Sequence, residues 1–213
     1  MLPDFASEYL DRLGIPSLRP AQEKAVAAGL LDGVSVLVCS PTASGKTLIA
    51  ELAFLRSLKE KKMAVYVVPL KALASEKLRQ FSSRNTFSVG IAVGDLDERD
   101  SNLGQYDVLV ATAEKLDSLL RHHAPWTSRI GVVVVDEIHL LNDPSRGPTL
   151  EILLTMLRRL VRPQLVGLSA TIGNPEELSE WLGATLVTDD WRPVRLDKGV
   201  LVDGQVRFPD KPF

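Results

Sequence analysis

Ser40-Pro41-Thr42-Ala43-Ser44-Gly45-Lys46-Thr47 decides how this chain reads. The stretch follows a short apolar run, Val34-Ser35-Val36-Leu37-Val38-Cys39, and opens a helical pattern, Leu48-Ile49-Ala50-Glu51-Leu52-Ala53-Phe54-Leu55. Strand, small-residue loop, Gly-Lys-Thr and helix together are the context that a phosphate-binding loop requires. Small side chains let the backbone curl so that successive N–H groups face phosphate oxygens. The start of the next helix adds its partial positive charge. Thr42, Ala43, Ser44, Gly45, Lys46 and Thr47 are therefore expected to cradle a nucleotide. Lys46 would reach the β- and γ-phosphates, and the Thr47 hydroxyl would ligate Mg²⁺. The strict pattern begins with Gly; here that position is Ser40.

A second feature completes the chemistry. Gly131-Val132-Val133-Val134-Val135 is a continuous apolar run, as a fully buried parallel strand should be. It ends in Asp136-Glu137-Ile138-His139. Carboxylates at the C-terminal end of a buried strand stand where open α/β sheets bind ligands. Asp136 is expected to hold Mg²⁺, through water, and Glu137 to orient and deprotonate an attacking water. Taken alone, Asp-Glu is a common dipeptide that caps strands. Paired with the loop at 40–47, it supplies the other half of a site for nucleoside triphosphate hydrolysis.

The chain has 213 residues, 45% of them hydrophobic, which is room for one domain with a sizeable core. Its net charge of −2 gives no global basic field, so nucleic acid must be held by local contacts. The single cysteine, Cys39, excludes an intramolecular disulfide framework and fits a reducing compartment. Asp4, Glu8, Asp11 and Arg12 interrupt any signal-peptide core, and no apolar run approaches the roughly 20 residues of a membrane span. The expectation is a soluble, cytoplasmic protein with no membrane partner.

Strand and helix patterns alternate along the chain. Strands are expected at 34–39, 64–68, 88–93, 107–111, 131–135 and 164–168, with a weaker one at 184–187. Helices are expected at 21–31, 47–59, 72–81, 113–122, 149–161 and 175–182. Asn174, Pro175 and Glu177 read as cap, first-turn proline and third-position acid. This alternation predicts an α/β fold, a mostly parallel sheet with helices on both faces. Lys59–Lys62 reads as a solvated helix end, and Arg158, Arg159 and Arg162 as a last helical turn that complements the dipole. Trp126, Trp181 and Trp191 read as packing residues. From Trp191 onward the pattern changes to an extended connector, with no ending signal at Pro209, Pro212 or Phe213.

Taken in order, several blocks resemble superfamily 2 DExH helicases. The likeness is greatest to the superkiller-type branch, which includes archaeal fork-repair DNA helicases and RNA helicases. The resemblance runs from about Leu18 to Gly199. Arg19-Pro20-Ala21-Gln22 matches the Q-motif region, which implies that Gln22 reads the adenine edge. Pro69 to Lys77 matches motif Ia and Thr112 to Arg121 motif Ib. Asp136 to His139 is motif II, and Ser169-Ala170-Thr171 matches motif III.

The resemblance implies a RecA-like P-loop domain, spanning 1–190 with a helical lead-in at 1–31. Residues 191–213 then form a connector towards a second RecA-like domain of a longer protein. It also implies that Lys71, Ser75, Thr112 and Lys115 contact nucleic acid, single-stranded or forked and DNA by preference. His139 would couple the ATP state to Ser169, Thr171 or the partner domain. The implied activity is that of an ATP-dependent helicase using ATP and Mg²⁺. No Gln-x-x-Gly-Arg-x-Gly-Arg block is present to supply arginines to the γ-phosphate, so this stretch alone is expected to hydrolyse ATP slowly. An RNA helicase of the same branch and a nucleotide-gated binding module without turnover stay open as alternatives. A P-loop kinase is disfavoured by Asp-Glu-Ile-His.

Overall fold

Valine-rich runs with no polar alternation need cover on both faces, and the chain provides it with seven parallel strands between two layers of helices. A computed structural model describes residues 2–84, 86–94, 98–194, 199–202 and 204–208. The chain enters through α1 (Asp4–Arg12) and α2 (Pro20–Ala27). It continues through β1 (Val36–Cys39), α3 (Lys46–Lys59), β2 (Met63–Val68), α4 (Lys71–Arg84) and β3 (Val89–Ala92). Next come β4 (Val108–Thr112), α5 (Ala113–Arg121), β5 (Ile130–Val135), α6 (Gly147–Met156), β6 (Gln164–Ser169), α7 (Pro175–Leu182) and β7 (Thr185–Thr188). The strand order is β3-β4-β2-β5-β6-β1-β7, and every pairing is parallel. A small antiparallel hairpin, β8 (Val200–Val202) with β9 (Gln205–Arg207), follows.

Side chains alternate across the pleat. Val36, Val38, Tyr66, Val132 and Val134 face α1 to α4, whereas Leu37, Cys39, Val65, Val67, Val133 and Val135 face α5 to α7. The five inner strands are buried along their whole length, and the edge strands β3 and β7 are buried only in part. This is the expected parallel α/β sheet, and all seven expected strands form. Among the described residues, no helix is long and apolar enough to cross a membrane.

Differences from the sequence reading have local causes. The helix expected over 21–31 stops at Ala27, because Gly29 turns to φ 91° and a 3₁₀ turn at Leu30–Asp32 follows. β1 starts at Val36 and not Val34, since Val34 N–H bonds back to Gly29 O and Val34 O accepts from the Gln164 side chain (2.8 Å). The helix expected over 149–161 is α-helical to Met156 and then widens into a π turn at Leu157–Val161. Arg162 ends that turn in a left-handed conformation, and Arg158 donates to Trp181 O. Asn174 stands at the N-cap of α7 as expected, but its side chain makes no cap bond to the backbone; its Nδ2 donates to Glu177 Oε2 (3.0 Å). Of the expected connector, 191–194 is irregular, and 195–198 and 209–213 lie outside the described residues.

Two features of the core set its strength. Phe54, Tyr66 and Phe81 pack edge to face, with Phe81 5.4 Å from Phe54 and 5.2 Å from Tyr66 between ring centroids. Glu51 of α3 is wholly buried and lies between Tyr9 of α1 and Arg84 of α4, its Oε2 3.7 Å from Arg84 Nη2. Burial, then the Glu51 charge and a hydrogen bond to it, push the Tyr9 hydroxyl well above its ordinary pKa.

Phe81→Ala is expected to cost about 3–5 kcal/mol in urea unfolding, because the ring is fully buried among aromatic neighbours. A loss below about 1 kcal/mol would show that the neighbours close the gap. Cys39 is buried, and burial is the chief cause that raises its thiol pKa to about 11. At pH 8 the native thiol should react with a disulfide reagent about two orders of magnitude more slowly than the unfolded one, because the thiolate is the nucleophile. Below that pKa each added pH unit should raise the native rate about tenfold; a rate equal to that of the unfolded chain would refute the assignment.

Candidate active site

Parallel pairing puts the ends of β1, β6, β5 and β2 on one edge of the sheet, and each loop that leaves this edge carries chemistry. The loop after β1 is anchored by Ser40 N–H to Ser169 O (3.2 Å) at the end of β6. Ser40, standing where the strict pattern has Gly, turns its hydroxyl inward to within 2.8 Å of Ser44 Oγ, and both residues are buried. Gly45 takes φ 93°, where any other residue is strained, and a Cβ there would lie 2.4 Å from Gln22 Nε2 and displace that side chain. Gln22 donates to Gly45 O (2.9 Å) and accepts from Arg19 N–H (2.8 Å), and Arg19 Nη1 donates to Ala43 O (2.9 Å). The Arg19-Pro-Ala-Gln22 block thus braces the loop from outside.

Lys46 is the first residue of α3. Its Nζ donates to Ser40 O (2.7 Å) and Pro41 O (3.1 Å), so the ammonium lies across the carbonyls of its own loop. Burial lowers its pKa, and the charges of Glu137 and Asp136 oppose that drop, which puts the ammonium and the carboxylates in one electrostatic unit. The Thr47 hydroxyl beside it accepts from Lys77 Nζ of α4 (3.3 Å).

Asp136 continues β5 on the face of Val132 and Val134, towards α3. Its Oδ2 accepts from the Tyr66 hydroxyl (2.6 Å) and its Oδ1 from Glu137 N–H (3.1 Å). Glu137 adopts φ 52°, a left-handed conformation that is rare outside glycine and concentrated at functional sites. Its Oε2 lies 3.3 Å from His139 Nδ1, which is 3.4 Å from Ser169 Oγ. The three side chains form a polar chain from the end of β5 to the end of β6. Thr171, expected with them, is exposed and lines a separate cavity with Lys24, Thr188 and Asp189.

The Thr47 hydroxyl and Asp136 carboxylate are hard oxygen donors of the kind Mg²⁺ takes. A cation already stands at the Thr47 hydroxyl, the Lys77 ammonium. Among the described residues no group of three or more His, Cys, Asp or Glu could form a metal cage.

The four residues expected to meet nucleic acid divide in two. Lys71, at the start of α4, and Ser75 are exposed. Thr112 and Lys115 are buried: Thr112 Oγ1 caps α5 by accepting from Lys115 N–H (3.4 Å), and Lys115 Nζ pairs inward with Asp100 (2.8 Å). Lys115 therefore does not offer its ammonium to a phosphate in this structure. Sequence reasoning assigns no role to Tyr66, nor to Arg19 and Lys77, although these two stand inside matched blocks. For Tyr66 there was a signal: a tyrosine inside an apolar strand needs a partner for its hydroxyl.

The chain is similar to known proteins over most of its length. The profile of the DEAD/DEAH box helicase family matches residues 19–178. The chain is similar to the ATP-dependent DNA helicase Hel308 of Pyrococcus abyssi, 52% identical over 206 residues, covering 95% of this chain and 28% of that protein. The Hel308 of Pyrobaculum calidifontis is 53% identical over 203 residues, covering 94% of this chain and 29% of its own. The chain thus spans under a third of the length of these curated relatives. Among solved structures, DUF1998 helicase MrfA bound to DNA superposes with a TM-score of 0.76 at 28% identity, covering 89% of this chain and 30% of that one. MrfA bound to DNA and AMPPNP gives 0.75 at 27%, covering 89% and 29%. Since the family match takes in the loop at 40–47, the Asp136-Glu137 strand end and the start of α7, the chain belongs to the DEAD/DEAH box helicases.

Proposed function

We propose that this chain is the first motor domain of an ATP-dependent DNA helicase, binding ATP with Mg²⁺ and acting with a second RecA-like domain of the same protein. The observation that carries the reading is the meeting of Lys46, Thr47, Asp136 and Glu137 at one sheet edge. Residues 1–190 form the motor domain, with the lead-in at 1–31, and 191–213 the connector. The Hel308 relatives are named DNA helicases and MrfA has been solved on DNA, which supports DNA over RNA. A protein that works on DNA belongs inside the cell.

In this mechanism the triphosphate takes over the donors of the loop. Lys46 exchanges the Ser40 and Pro41 carbonyls for phosphate oxygens, while the first N–H groups of α3 point at the same charge. Thr47, and Asp136 through water, would hold Mg²⁺, and the metal would supply neutralisation of phosphate charge. Glu137 accepts the proton of the attacking water. His139, within reach of both Glu137 and Ser169, relays the state of the base to the end of β6. Lys71 and Ser75 on the exposed side of α4 offer the phosphate contacts to a single strand or fork. Arginines from the second domain complete the neutralisation of charge at the γ-phosphate.

Lys46→Ala should weaken Mg·ATP binding to the chain about 10- to 100-fold in calorimetry, the worth of hydrogen bonds to a charged group. Unchanged affinity would remove the loop at 40–47 from the phosphate site. In the full-length protein, Glu137→Gln should retain nucleotide affinity and lower kcat by about 10²–10⁴. A fall of less than about tenfold would take the general base elsewhere.

A further inference from the structure

Tyr66 belongs to the core by its ring and to the active site by its hydroxyl. The ring is 1% exposed and packs edge to face on Phe54 (6.1 Å) and Phe81 (5.2 Å). In the parallel register Tyr66 stands opposite Val134, so the next residue of β5 on that face is Asp136. The hydroxyl therefore leaves the aromatic cluster at the C-terminal edge and donates to Asp136 Oδ2 at 2.6 Å. A carboxylate has no proton to give, so the phenol is the donor. Because Glu137 N–H already occupies Oδ1, the Tyr66 bond ties the second oxygen and fixes the rotation of the carboxylate. The same ring lies 5.6 Å from the Lys77 ammonium, which reaches Thr47.

We propose that Tyr66 is a positioning residue for the metal site, its hydroxyl holding the Asp136 carboxylate in the orientation that receives Mg²⁺. This rests on the reading of Asp136 as a magnesium ligand. Groups that orient a metal ligand through a hydrogen bond are typically worth about 10–100-fold in metal affinity. The rigid aromatic cluster behind the ring gives the hydroxyl a fixed origin, which a flexible surface donor would lack.

The test is binding of a fluorescent ADP analogue to the chain, titrated once in EDTA and once in saturating Mg²⁺. Tyr66→Phe removes the hydroxyl and keeps the ring. Its affinity in EDTA should match the unaltered chain, and the gain on adding Mg²⁺ should shrink about tenfold. In a chain already carrying Asp136→Ala, adding Tyr66→Phe should change nothing further. A full Mg²⁺ gain in Tyr66→Phe overturns the proposal, and so do additive losses in the double variant. Loss of binding in EDTA as well would make the hydroxyl a part of the fold and also overturn it. A full Mg²⁺ gain in Asp136→Ala alone instead refutes the magnesium reading of Asp136, so the two failures are distinguishable.

Discussion

Strands that pair in parallel all end on the same side, and that constraint governs where this chain can do chemistry. Each return to the start of the next strand must cross a face of the sheet, so the helices are forced outward and both faces become core. What remains open is the edge where strands end and helices begin. There the backbone has unpaired N–H groups, the helix dipoles present their positive ends, and no side chain is needed for the sheet to hold. Lys46, Thr47, Asp136, Glu137 and Ser169 stand on this edge because their strands end there. β6 keeps β1 and β5 one strand apart, and it brings Ser169 beside both the phosphate loop and His139.

The polar groups on this edge are held by one another. Lys46 lies across loop carbonyls, Ser40 and Ser44 share a hydroxyl contact, and Asp136 has a donor on each oxygen. Gln22 and Arg19 fasten the outside of the loop. An unmet donor or acceptor at such depth costs about 1–3 kcal/mol, and these mutual bonds leave few of them unmet. The left-handed Glu137 is a further cost, about 1–3 kcal/mol of backbone strain, tolerated because β5 and the turn that follows fix the backbone on either side.

Much of this was legible in the sequence because it rests on local rules. Apolar runs of β-branched residues gave the inner strands, and small residues before Gly45-Lys46 gave the loop. Boundaries moved by a few residues where a glycine such as Gly29, or a bond between distant parts such as Gln164 to Val34, overruled periodicity. The side chains that arrive from elsewhere in the chain were harder to see. Tyr66 reads as one more apolar residue of β2 until strand order sets β5 beside it. Lys77 reads as a surface residue of a helix until α4 packs near the start of α3. Lys115 differs the other way: the resemblance implies a nucleic-acid contact, but the ammonium is buried against Asp100. Burial of a charge with its partner is decided by tertiary packing, which no local pattern records.

The buried Glu51 has a consequence for where the folding unit begins. Its neighbours Tyr9 and Arg84 come from α1 and α4, and α1 lies wholly before residue 19, where the shared family match starts. Removing α1 would take the Tyr9 hydroxyl from Glu51 and leave Arg84 as its remaining partner, and a lost hydrogen bond to a buried charge costs about 1.5–3 kcal/mol, a sizeable share of a domain's total stability. The region that defines kinship and the region that must fold as one body are therefore not the same length. Any division of this protein that follows the outline of its family would cut through the network that keeps α3, and with it the phosphate loop, in place.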